Sequence, residues 1–240
     1  MRFDVFTLFP SWFDWMREAR HVVNAAESVE LELRCHDMRA HTPLRAGHVD
    51  DAPYGGGPGM VIRVDVVAAA LEGVFGVSAE RVREDRRVCV LTPRGRSLSD
   101  EVARELAEDE GIVLLCGRYE GFDERVHDHL ASDAISIGPY VLAGGEVAAM
   151  VVVDAVTRRL PGALGNAASL DRESFSEALA GGTEHPHYTR PPEFRGWGVP
   201  EVLRSGDHGA VERWRIANAG PPADRSDPPA GGARRPGPPS

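Results

Sequence analysis

The sequence predicts an α/β fold built on a mainly parallel sheet. Three observations predict it. Strand-like and helix-like stretches alternate from Arg2 to Arg159. The stretches Val88–Leu91, Ile112–Cys116 and Asp133–Gly138 read as short buried strands rather than half-exposed ones. Each of the three runs into a glycine-bearing loop: Thr92–Arg96, Gly117–Gly121 and Gly138–Gly145. In a parallel sheet all three loops fall at the carboxyl edge, around one crevice.

The elements follow in chain order. Arg2–Leu8 is β-prone and ends ahead of Pro10, which suits the first turn of a helix over Ser11–Arg20. Val29–Cys35 alternates, with Val29, Leu31, Leu33 and Cys35 on one face, and predicts a half-buried strand. Arg39–Asp51 is polar and irregular. Tyr54–Met60 holds four glycines and a proline in seven residues, so it is neither helix nor strand. Its backbone amides could wrap a flat or anionic ligand, although it lacks the G-x-G-x-x-G dinucleotide fingerprint. Asp65 is expected to cap a helix reaching about Gly73, with Val66, Val67, Ala70, Leu71 and Val74 inward. Val88–Leu91 is expected to stop at T-P-R-G-R. Ser99 caps the next helix, with Asp100 and Glu101 in its first turn. After the strand Ile112–Cys116 comes the loop Gly117–Arg125. Gly145–Arg159 reads as an apolar helix, and Leu160–Ser169 as a linker. Ser174–Glu177 has a capping-box pattern, and Glu184–Pro200 is loop-rich. Asp207 caps a last helix containing Val211 and Trp214. From Gly220 onward seven of 21 residues are proline and four are glycine, a composition expected to stay disordered.

Composition removes several functions. All 27 basic residues are arginine. Without lysine there is no Walker-A loop, kinase-type catalytic lysine or Schiff base. A net charge of −10 argues against a general nucleic-acid coat, but leaves room for a local arginine-lined site. The three cysteines are widely spaced and odd in number, against zinc and a disulfide framework. The longest apolar run, Val147–Val153, falls far short of the ~20 residues that cross a bilayer. Asp4 interrupts any signal-peptide core, so a cytoplasmic location without membrane attachment is expected.

Among nine histidines only His127-x-His129 and His185-x-His187 are close, and an i, i+2 pair does not share a helix face. No metal site is predicted. Acyl hydrolysis lacks a G-x-S-x-G elbow. Arg158 at the end of the apolar helix and Glu173 ahead of the capping box each suit a helix terminus electrostatically, and Asp171 is a second carboxylate nearby. Taken singly, each reads as surface.

Several long motifs in fixed order change that reading. They are V-D-D-A-P-Y-G-G-G-P-G-M (Val49–Met60), C-G-R-Y-E-G-F-D-E-R (Cys116–Arg125) and S-I-G-P-Y-V-L-A-G-G-E (Ser136–Glu146). L-P-G-A-L-G-N (Leu160–Asn166), H-Y-T-R-P (His187–Pro191) and V-P-E-V-L-R-S-G-D-H (Val199–His208) accompany them. With these motifs the chain resembles, from Met1 to about Ala217, the bacterial tRNA (guanine-N1)-methyltransferases of the TrmD type, in the SPOUT class. The resemblance implies a deep trefoil knot, which no sequence rule would propose. It implies a knotted methyltransferase domain over 1–160, a linker over 161–175, a small helical RNA-contacting domain over 176–217 and a disordered tail over 218–240. It implies a homodimer, with each active site between one subunit's knot and the partner's C-terminal segment. S-adenosylmethionine would lie against Thr92, Pro93, Gly117, Tyr119, Glu120, Ile137, Gly138, Pro139, Tyr140, Val141, Leu142, Gly144 and Gly145. The tRNA would meet Tyr54, Gly55, Gly56, Gly57, Gly59, His187, Tyr188 and Arg190. Arg158 falls on the family's catalytic arginine and Glu173 on its catalytic aspartate. The target would be the guanine just 3′ of the anticodon. Magnesium is a further family requirement, for which the sequence shows no ligand set.

The chain departs from the family pattern at four places. Glu173 stands for an aspartate, Pro139 for an aspartate, and Phe122 for an isoleucine. The basic stretch that follows the tryptophan–arginine pair in the family is replaced after Trp214-Arg215 by the Pro/Gly tail. Two other readings stand beside the methyltransferase of tRNA. One is a paralogue acting on another RNA or a small purine-like metabolite. The other is a non-catalytic dimer that binds S-adenosylmethionine or RNA.

Overall fold

A computed structural model describes residues 1–165 and 173–221. Its contacts divide the chain into two units, Met1–Gly165 and a second beginning at Asn166.

The first unit is a five-stranded sheet in the order β2-β1-β6-β5-β7, parallel throughout. The strands are β1 (Arg2–Thr7), β2 (Glu32–Asp37), β5 (Arg87–Ser97), β6 (Gly111–Leu115) and β7 (Asp133–Ser136). Successive residues alternate between two buried clusters. Phe3, Cys89, Ile112 and Leu114 face one, with Val22, Ala25, Leu106, Ala149 and Val153. Phe6, Val88, Val113 and Leu115 face the other, with Val66, Ala70, Leu71 and Val82. Helices therefore cover both faces: α2 (Arg20–Val29), α5 (Asp100–Ala107) and α6 (Glu146–Thr157) on the first, α3 (Val64–Phe75) and α4 (Ala79–Asp85) on the second. That arrangement explains why the central strands read as apolar on both faces.

Several expected elements shift. The helix expected over Ser11–Arg20 is a 3₁₀ turn (Pro10–Phe13), a single α-turn α1 (Asp14–Arg17) and then α2, which the alternation at Val29–Cys35 had hidden. Val29 ends α2, Glu30 turns left-handed (φ 53°), and β2 starts at Glu32. Asp65 lies inside the first turn of α3 and pairs with Arg63, 2.7 Å away, so it is not the cap. Asp50–Asp51 form a short strand, β3, antiparallel to β4 (Val61–Ile62).

The strand β5 does not stop at the T-P-R-G-R run. Leu91 and Arg96 both pair with Ile135, so Thr92–Gly95 bulges out and the chain returns to the same neighbour. A Cβ on Gly95 would sit 2.5 Å from the backbone of Ala134 and Ile135, so glycine is required for that return. Arg96 then bonds Asp133 and Glu105, both at 2.6 Å, and Arg87 reaches Glu105 at 2.9 Å. The far end of the bulge is thereby fixed to β7 and α5.

The second unit contains a hairpin, β8 (Glu193–Phe194) with β9 (Trp197–Gly198), and α7 (His208–Asn218). Asp207 caps α7 as expected, its carboxylate accepting from Ala210 N–H at 2.9 Å. The expected capping box at Ser174–Glu177 does not form. Ser174 Oγ accepts instead from Glu184 N–H at 3.0 Å, and only a 3₁₀ turn, Glu177–Leu179, follows. Within the stretch expected as a tail from 218, Gly220 and Thr183 exchange backbone hydrogen bonds of 3.0 and 3.2 Å. Residues 222–240 lie outside the described residues, as do 166–172, which include part of the expected linker and Asp171.

Candidate active site

The carboxyl edge of β5, β6 and β7 opens onto a cavity of about 230 Å³. Its walls are the Thr92–Gly95 bulge, the Gly117–Gly121 loop and the Gly138–Gly145 loop, with Ile135 and Ala148 as apolar floor. All three glycine-bearing loops thus meet, as the strand order requires. Of the residues expected to hold cofactor, every one but Pro139 lines this cavity. Sequence reasoning did not include Arg94, Phe122 or His127, which line it too. Phe122 is also buried in the core cluster that contains Val126.

Backbone contacts hold the loops in register. Gly145 N–H donates to the Gly117 carbonyl at 2.8 Å. A Cβ on Gly145 would lie 2.8 Å from Cys116 Cα and 3.0 Å from Gly117 N, so the two chain segments cross with no room for a side chain. A Cβ on Gly144 would instead strike the Arg118 and Glu146 side chains. Tyr119 is left-handed (φ 59°) in a turn closed by Gly121 N–H to the Arg118 carbonyl at 2.9 Å. That conformation costs of the order of 1–2 kcal/mol for a residue with a Cβ, and it turns the Tyr119 ring, half exposed, into the cavity wall. At the rim, Arg94 pairs with Glu124 at 2.6 Å. Burial pushes the nearby His127 imidazole below its ordinary range, with Glu124 opposing.

The glycine-rich loop Tyr54–Met60 abuts this site. Glu120 N–H donates to the Met60 carbonyl at 3.0 Å and Ile62 N–H to the Gly121 carbonyl at 2.9 Å. A Cβ on Gly59 would strike Glu120, whereas Gly55, Gly56 and Gly57 face open space and Tyr54 is fully exposed. The tip is therefore free to meet a large ligand beside the cavity.

Arg158 is the C-cap of α6, half-buried, its N–H bonded to the Asp154 carbonyl at 3.1 Å. The next residue, Arg159, is paired with Asp100. In the second unit, Glu173 sits in a turn whose carbonyl accepts from Ser176 N–H at 3.1 Å. His187 and Tyr188 belong to an aromatic cluster: His185 and His187 are 4.7 Å apart, and Tyr188 lies 6.2 Å from Trp214 of α7. Arg190 is exposed. Also unforeseen is the β8–β9 hairpin, whose tip presents Phe194 and Trp197 to solvent with Arg195 over the Phe194 ring. Among the described residues, no group of three His, Cys, Asp or Glu side chains converges to hold a metal ion, and no helix is long and apolar enough to cross a membrane.

Comparison of the sequence with known proteins shows its family. The family model described as tRNA (Guanine-1)-methyltransferase TrmD matches residues 1–223. A tRNA (guanine-N(1)-)-methyltransferase of Dehalococcoides mccartyi strain BAV1 is 48% identical over 218 residues, covering 90% of this chain and 84% of the relative. The protein of the same name from Geobacter metallireducens is 48% identical over 219 residues, covering 91% and 86%. That from Brevibacillus brevis is 46% identical over 216 residues, covering 90% and 85%. The chain belongs to the tRNA (guanine-N1)-methyltransferase family of the TrmD type.

Proposed function

We propose that the protein transfers a methyl group from S-adenosylmethionine to N1 of the guanine just 3′ of a tRNA anticodon. The observation that carries the reading is the convergence of the three glycine-bearing loops on one cavity, in a chain that belongs to this family throughout. The cavity suits the cofactor chemically. It combines an apolar floor for a flat base with backbone amides and carbonyls at its loops, and its glycines permit close approach. When bound, S-adenosylmethionine supplies an electrophilic methyl on a sulfonium.

The chain's own residues prepare the nucleophile. Guanine N1 carries a proton, so a carboxylate base is needed, and Glu173 takes that role. Negative charge then develops on the adjacent O6, where the Arg158 guanidinium stabilises it. Among the described residues no ligand cluster for magnesium is present. Tyr54–Gly59, His187, Tyr188 and Arg190 contact the tRNA. The loops around the cavity form a trefoil knot of the SPOUT kind, the second unit is a helical RNA-contacting domain, and the protein works in the cytoplasm. It acts as a homodimer in which the partner's C-terminal segment completes each site. With curated relatives named for the tRNA reaction at 48% identity over nearly the whole chain, the paralogue and binding-protein readings are not favoured.

The test is methyl incorporation from labelled S-adenosylmethionine into undermodified tRNA, total RNA and a metabolite extract. Label in 1-methylguanine of tRNA alone is the expected result. Label in another RNA or a small molecule, or none at all, would sink the reading.

A further inference from the structure

Behind the cavity, and not lining it, lies a buried charged cluster that the proposed chemistry does not use. Glu146, the first residue of α6, is fully buried. Its Oε1 accepts from Thr7 Oγ1 at 2.9 Å, at the carboxyl end of β1. Its Oε2 lies 2.9 Å from Arg118 Nε, in ionic contact rather than an aligned hydrogen bond. Thr7 Oγ1 in turn accepts from Phe9 N–H at 3.0 Å. Arg118 Nη1 donates to the Ala143 carbonyl at 3.3 Å, and its guanidinium covers the Phe9 ring at 4.4 Å and the Trp12 ring at 4.8 Å. One carboxylate therefore joins β1 to the Gly117–Gly121 loop, and the arginine it holds joins that loop to the Gly138–Gly145 loop. Arg118 and Gly144 also form an isolated antiparallel bridge. The absent Cβ of Gly144 leaves the space that this pair occupies.

A buried charge is expensive and is retained only where it is paired. An apolar side chain of similar size would pack at α6 with less risk to stability. What the ionic pair adds is direction: two loops fixed to each other through one atom-sized contact, on the side away from the ligand. We propose that Glu146 is a positioning residue. Through Arg118 it sets the separation of the two loops and hence the affinity for S-adenosylmethionine. The proposal rests on the cofactor reading above.

The experiment measures S-adenosylhomocysteine binding by calorimetry and thermal stability together. Wild-type protein that binds no S-adenosylhomocysteine overturns the cofactor reading itself, before any variant is made. With wild-type binding in hand, Glu146→Gln should raise Kd by about tenfold or more, as a small misplacement of ligand-holding loops does. The double variant Arg118→Met with Glu146→Gln removes both charges, so it should regain most of the lost thermal stability. Its Kd should stay raised, because the loops have lost their tie. Affinity that recovers in step with stability would show a merely structural pair and overturn the proposal, as would unchanged binding by Glu146→Gln. Thr7→Val covers the case in which both variants fail to fold. It removes the hydroxyl that holds Oε1 and accepts from Phe9 N–H, leaves the Arg118–Glu146 charges in place, and should raise Kd by about threefold to tenfold; unchanged binding there overturns the proposal.

Discussion

Gly145 shows how one missing atom decides a site. The neighbours that a Cβ would meet are backbone atoms of Cys116 and Gly117, which cannot swing aside as a side chain can. Gly145→Ala should therefore lower stability by about 1–3 kcal/mol, the range for overpacking a filled interior, and thermal unfolding checks it. A drop below a few tenths would mean that the crossing can relax. Asp4 decides something different, the response to acid. It is almost fully buried on β1, bonded by Arg2 Nε at 2.6 Å and by His36 Nε2 at 2.9 Å. Burial alone would raise its pKa, but the bonds from His36 and Arg2 outweigh it and the net shift is downward. A carboxyl group depressed on folding stabilises the protein above its unfolded pKa, about 3.9, and that contribution is lost as pH falls through the lower folded value. Asp4→Asn should thus be less stable than wild type near neutral pH. The gap should close below about pH 4. A gap that persists or widens in acid would contradict the pairing.

The elements that were legible in the sequence are those whose signals are local. Ser99 is one: its Oγ accepts from Val102 N–H at 3.2 Å, with Asp100 and Glu101 in the first turn of α5. Ser99→Ala should cost about 0.5–2 kcal/mol, and loss of a few tenths or less would show that the cap is idle. The same local logic failed at Ser174, because a distant backbone group, Glu184 N–H, claims its hydroxyl. It failed at α2 because Val22, Ala25 and Val29 compete with a clean alternation that starts at Val29 and continues into β2. The walls of the cavity were legible for a related reason. Glycine and proline mark a loop wherever they cluster, and parallel topology brings such loops to one edge. The tie between Arg118 and Glu146 was not, since nothing in either motif tells which arginine will face which carboxylate across the crossing of two loops. The Thr92–Gly95 bulge looks in the sequence like the end of a strand, because pairing resumes only after it, at Arg96.

At the scale of the whole molecule, the proposed reaction makes a claim about subunits. Arg158 belongs to the first unit and Glu173 to the second, and in the proposed homodimer each site takes them from different copies of the chain. Light scattering should then give about twice 26.0 kDa at micromolar concentration. A stronger test uses two variants that are each impaired. Arg158→Ala should lower the single-turnover rate by about 10²–10³, as loss of a charge stabiliser does. Glu173→Ala should lower it by about 10²–10⁴, as loss of a general base does. Mixed under conditions that let subunits exchange, the two variants form random pairs, and half the dimers are mixed. In a mixed dimer, one site takes its arginine from the Glu173→Ala copy and its carboxylate from the Arg158→Ala copy, and is intact. The other site lacks both. About a quarter of wild-type activity should return, half of the dimers with half of their sites. If each site drew both residues from one chain, every site in the mixture would carry one defect and no activity would return. Recovery near one quarter, together with full loss in each variant alone, would assign both roles and the shared site at once. No recovery despite proven exchange would leave a dimer whose sites are each built from a single chain.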